Sequence, residues 1–173
     1  HSAAPAATEI ICRLDSLRAL PADAGGGLML RASEDPFAPF VALTLVGDRR
    51  IGFHHRKETA GSVSSRHSRP HPGTTFRLED SVWLRLRSDG DKCTAYYSSE
   101  TAEGIRWRQI GTATTAFGDT LLGGPVAWGG RGDDPVEIPF SRLTLDDHGP
   151  EEEVPAEVFA TPGTDPLDLD ADG

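Results

Sequence analysis

The feature that most constrains this chain is a two-residue hydrophobic period that recurs in short segments along its length, with the helical period almost nowhere. Successive side chains of a strand point to opposite faces, so such alternation describes strands with one buried and one solvated face. The pattern predicts strands at 8–14, 27–32, 40–46, 51–57, 81–87, 92–98, 106–114, 121–128 and 138–145. Turn-forming residues separate them: Gly25-Gly26-Gly27, Asp35-Pro36, Gly47-Asp48, Asp89-Gly90 and Gly129-Gly130. Asp89-Gly90, between two alternating runs, predicts a hairpin. Short strands at this spacing, with 19 Gly and 13 Pro to turn the chain, predict an all-β, two-sheet antiparallel sandwich. Two stretches stand apart. Residues 58–75 are polar, contain Gly61, Pro70, Pro72 and Gly73, and read as a long loop. From His148 onward, Pro150, Pro155, Pro162 and Pro166 break an acidic run that reads as a linker. The expected organisation is one domain over residues 1–147 and a tail over 148–173.

The net charge of −10 is concentrated in that tail. Residues 146–173 hold ten acidic side chains and no Lys or Arg, leaving 17 of the 27 acids to balance all 17 cations in the body. Within the body, residues 49–77 collect seven Lys and Arg and four of the six His against one acid, Glu58. Neither feature points to nucleic acid, and no apolar run is long enough to insert in a membrane. Two cysteines, Cys12 and Cys93, are too few for a disulfide scaffold or a zinc site. Both lie in predicted strands and read as small buried side chains, with a bridge between strands as the alternative.

Six segments in order carry a family resemblance. They are Gly27-Leu28-Met29-Leu30-Arg31, Val41-Ala42-Leu43-Thr44-Leu45, Val82-Trp83-Leu84-Arg85-Leu86-Arg87, Thr94-Ala95-Tyr96-Tyr97-Ser98-Ser99, Trp107-Arg108-Gln109-Ile110-Gly111 and Gly123-Gly124-Pro125-Val126-Ala127-Trp128. Over about residues 8 to 146 the series resembles the concanavalin A-like lectin/glucanase superfamily, in particular its bacterial accessory domains of unassigned function. The resemblance implies a jelly roll whose curved sheet holds carbohydrate in related proteins. It also implies an extracellular or cell-envelope setting within a larger protein, and a further strand or two before Thr8. The segment His54-His55-Arg56-Lys57 departs from the family's polar or aromatic continuation.

Alternation assigns the faces of the strands that the resemblance places in the curved sheet. Leu28, Leu30, Val41, Leu43, Leu45, Phe53, His55, Pro125 and Ala127 fall on the core side. Met29, Arg31, Ala42, Thr44, His54, Arg56, Val126 and Trp128 fall on the other. A flat aromatic flanked by hydrogen-bonding groups suits a pyranose, which has apolar faces and polar edges. Arg31, Thr44, His54, Arg56 and Trp128 are therefore the candidate ligand-binding residues. Trp83 and Trp107 read as packing residues.

Other chemistries are poorly served. His67 and His71 have a helical metal-ligand spacing, but Pro70 and Pro72 exclude a regular helix and no acid completes the set. Binding of sulfate or uronate by Arg56, Lys57, Arg66 and Arg69 suits the basic segment better. Asp168, Asp170 and Asp172, followed by Gly173, resemble the opening of a calcium loop without its later ligands, so no tightly held cofactor is expected. The alternating carboxylates of the superfamily's retaining glucanases have no counterpart, and no nucleophile elbow, phosphate loop or His-Glu-x-x-His motif occurs. The reading is a non-catalytic binding module with carbohydrate or neighbouring domains as partners. A purely structural interaction domain and a polysaccharide-active enzyme are the alternatives.

Overall fold

The computed structural model describes residues 7–15, 21, 23–47, 50–68, 81–101, 104–118, 121–129 and 137–148. Among these residues eleven strands run in the order β1 (Ala7–Leu14), β2 (Gly25–Arg31), β3 (Phe40–Val46), β4 (Arg50–Arg56), β5 (Val63–Ser68), β6 (Val82–Asp89), β7 (Lys92–Thr101), β8 (Gly104–Ile105), β9 (Arg108–Thr114), β10 (Leu122–Trp128) and β11 (Phe140–His148). Among the described residues there is no helix. One sheet has the order β11-β1-β6-β7-β8, with β9 pairing β7 beside β8; the other has the order β10-β2-β3-β4-β5. Every pairing is antiparallel.

The alternation seen in sequence becomes the core. Ile10, Cys12 and Leu14 of β1 meet Val82, Leu84 and Leu86 of β6 on one inner face. Leu28 and Leu30, then Val41, Leu43 and Leu45, then Ile51 and Phe53 form the facing layer. Each large side chain fully withdrawn from water contributes roughly 1.5–3 kcal/mol, which sets the register of every strand that carries one.

Three expectations need correction. Residues 58–75 are not all loop: β5 pairs β4 over six residues, from Ile51↔Ser68 to Arg56↔Val63. Its sequence, Val-Ser-Ser-Arg-His-Ser, lacks apolar alternation because only one layer's edge lies behind it, so no hydrophobic period announced it. Pro125 and Ala127 are on the core side of β10 but exposed, because β10 is an edge strand bonded to β2 alone. An edge is also where a proline, lacking an N–H, fits a sheet. The β6–β7 hairpin is present, but Asp89 pairs Lys92, so the turn residues are Gly90-Asp91. Gly90, at φ 58°, takes the first central position, where a type II′ turn wants glycine. The expectations for the tail, including Asp168, Asp170 and Asp172, and for His71, lie outside the described residues, as do the side chain of His67 and any strand before β1.

Cys12 and Cys93 are free and buried. Cys12 faces Leu84, which faces Tyr97 on β7, four residues from Cys93. That offset alone is about 13 Å, far beyond a disulfide's reach. Burial pushes both thiols up to about 12. In the folded protein neither thiol should react with an aromatic disulfide reagent at pH 8, and both should react after unfolding. Unfolded thiols ionise near 9 and folded ones near 12, so stability is intact below pH 9 and falls above it. The expected slope is up to about 1.4 kcal/mol per pH unit per thiol. Urea unfolding at pH 8 and 10.5 checks this against a Cys12→Ala/Cys93→Ala variant, which should lose that part of the slope.

Candidate functional site

The outward face of the β10-β2-β3-β4-β5 sheet carries all five candidate ligand residues, as strand parity requires. Trp128 pairs Gly25, Gly27 pairs Thr44, Met29 pairs Ala42, and Ala42 pairs His54. The face has an uneven relief. Gly25, Gly27, Ala42, Thr44 and Gly52 form a low strip across β2, β3 and β4, and every one of them is buried.

Large side chains lie along this strip rather than standing up from it. The benzo edge of Trp128, at Cζ2 and Cη2, rests against Gly25, where any Cβ would run into it. The indole N–H donates to the Asp23 carbonyl at 2.9 Å, so the ring is pinned at both ends while remaining half-exposed. His54 folds over Gly52 in the same manner. Its Nε2 lies 3.2 Å from Thr44 Oγ1 and its Nδ1 2.9 Å from Ser65 Oγ. The Thr44 hydroxyl has one hydrogen; when it goes to the Gly52 carbonyl, Nε2 of His54 is the ring donor and Nδ1 accepts from Ser65. Between the two glycines on which these rings lie there are two strand spacings and two residues, roughly 12 Å.

The other candidates are committed to the protein itself. Thr44 is 3% exposed, beneath His54, and its hydroxyl donates to the Gly52 carbonyl. Arg31 donates to the Asp35 carbonyl. Arg56 donates to the carbonyls of Pro36 at 2.7 Å and Ala38 at 3.2 Å, with its guanidinium over the Phe40 ring. Both arginines thus hold the β2–β3 loop, which is further shaped by Phe37 N–H donating to Asp35 Oδ1 and carries Phe37 at 60% exposure. Sequence reasoning missed Ser65 and Asp23. Ser65 sits on β5, which no periodicity revealed, and Asp23 acts through its backbone carbonyl, which residue identity does not encode.

The opposite sheet has its own ordered outer face. Arg85 pairs with Glu9 and lies over the rings of Tyr96 and Trp107, at 5.4 and 5.5 Å from their centroids. Arg13 lies over Trp83 and pairs with Asp15. Trp83 and Trp107 therefore cover arginines, in keeping with a packing role. Among the described residues no group of three or more His, Cys, Asp or Glu lies together.

Neither a protein-family model nor a curated protein sequence matches this chain. Solved structures match it in fold. A functionally unknown protein from Saccharomyces cerevisiae superposes with a TM-score of 0.58 at 17% identity, over 83% of this chain and 70% of that one. The enzymatically active domain of tailspike protein 2 of bacteriophage CBA120 gives 0.53 at 9% identity, over 86% of this chain and 23% of that one. Domains LG4–5 of the mouse laminin α1 chain give 0.46 at 8% identity, over 86% and 38%. At these identities the likeness is one of fold. The chain is a two-sheet jelly-roll sandwich.

Arg56→Gln should release the β2–β3 loop. The expected cost is about 1–3 kcal/mol for the lost charge-assisted bonds, with faster amide exchange at Ala38 and Ala60, whose N–H groups donate within this loop and to it. Hydrogen exchange read by mass spectrometry, together with thermal unfolding, checks both.

Proposed function

We propose that this chain is a non-catalytic binding module of a larger secreted or cell-surface protein, and that it recognises carbohydrate on the outward face of the β10-β2-β3-β4-β5 sheet. The observation that carries this reading is Trp128: a half-exposed indole held against Gly25 and hydrogen-bonded to Asp23. A pre-positioned aromatic surface loses little entropy on stacking against a sugar's C–H face. His54 and Ser65 add hydrogen-bonding groups further along the same face. The described part of the 58–75 segment also supports the reading, because it extends this sheet edgewise as β5 instead of lying across it.

The commitment of Arg31, Arg56 and Thr44 to internal bonds favours the second reading, a module that contacts only neighbouring domains. The two readings separate on one experiment. Glycan-array screening followed by calorimetry on the best oligosaccharide should show saturable binding by the wild type. Trp128→Ala should weaken it about tenfold or more, equivalent to about 1.4 kcal/mol. Retention of no glycan by the wild type, or equal binding by a variant that folds normally, would leave the domain-contact reading in its place.

A further inference from the structure

Among the described residues, the two sheets do not close along one side. β5 continues the β4 sheet, and the residues it turns toward the other layer are polar: Ser64 faces His55 and Arg66 faces Phe53 across the pairing. Serine and arginine do not supply the apolar surface that seals two sheets together, so a cleft of about 200 Å³ remains between β4–β5 and β9. Phe53 and His55 line it from one layer, Gly111 and Thr112 from the other, and Ser64 to Arg66 form its rim. Gly111 keeps the cleft open, because a Cβ there would lie 3.1 Å from Phe53 Cδ1 and 3.9 Å from Arg66 Nη1.

Two polar groups in this cleft are unspent. Nδ1 of His55 is buried with no hydrogen-bond partner. Arg66 is exposed and makes no hydrogen bond or ion pair among the described residues, whereas Arg13, Arg31, Arg56 and Arg85 are all engaged. Among the described residues no carboxylate lines the cleft. In the sequence, the segment 49–77, to which β4 and β5 belong, has seven cations and the single acid Glu58. A guanidinium without a partner at the mouth of a concave site with an aromatic wall is a recognition site for an oxyanion on a small ring.

We propose that this cleft binds a small anionic pyranose, a sugar of monosaccharide size carrying a carboxylate or a sulfate. The anion lies against Arg66, the ring lies along Phe53 and His55, and the hydroxyl of Ser64 meets a hydroxyl of the sugar. The site shares only Ser65 with the outward face: Phe53, His55, Ser64 and Arg66 lie on the core side of β4 and β5, and Trp128 does not line it.

Calorimetry on the full chain with glucuronate, N-acetylglucosamine 6-sulfate and glucose tests this. One of the two anionic sugars should bind saturably and glucose should not; which one binds identifies the anion. Arg66→Gln should weaken that binding at least tenfold with an unchanged melting temperature, since Arg66 holds nothing else in place, and Arg66→Lys should restore part of it. Trp128→Ala should leave it unchanged, so this proposal and the outward-face reading fail independently. Binding of neither anionic sugar, equal binding of glucose, or wild-type affinity in Arg66→Gln overturns the proposal.

Discussion

Everything in this molecule depends on burying one face of each central strand between two sheets. Leu28, Leu30, Val41, Leu43 and Leu45 on one side, and Ile10, Leu14, Val82, Leu84 and Leu86 on the other, are essentially without solvent exposure. Because the side-chain period is two, a slip of one residue in any of these strands would exchange its core face for its solvent face. The same lock that holds the core in place therefore also decides what the outer faces display. Trp128, Thr44 and His54 are co-facial because Leu28, Leu43 and Phe53 are buried.

The outward face of the β10-β2-β3-β4-β5 sheet shows a second constraint at work. Small residues at Gly25, Gly27, Ala42, Thr44 and Gly52 let an indole and an imidazole lie down on the sheet, each hydrogen-bonded at its polar end. The opposite sheet achieves order differently, by laying arginines over tryptophan and tyrosine rings and anchoring one of them to Glu9. The first arrangement leaves part of an aromatic ring facing water; the second uses aromatic rings to cover cations. That contrast is the physical reason the proposed carbohydrate site lies on one face and not the other.

Where the sandwich ends matters as much as where it packs. At β10 the core side of the strand reaches the edge, and Pro125 and Ala127 are exposed although they have the parity of core residues. At β5 the edge strand carries polar residues inward, and the layers part to leave the cleft of Phe53, His55 and Arg66. Both follow from one fact: an edge strand has a neighbour on one side only, so parity no longer guarantees burial.

The sequence by itself determined the fold class, the positions of nine of the strands and which side of its own strand each of Trp128, Arg31, Thr44, His54 and Arg56 takes, because alternating burial leaves a readable period. That these strands share one sheet was implied only by the family resemblance. It did not reveal β5, whose polar residues carry no such period, nor the short β8. Only the tertiary structure decided which of the co-facial residues are available. Arg31 and Arg56 are drawn to carbonyls of the β2–β3 loop, and Thr44 is sealed beneath His54. Those commitments depend on backbone atoms and on neighbours brought together by strand pairing. A pattern of residue types records which way a side chain points, but not what it meets there.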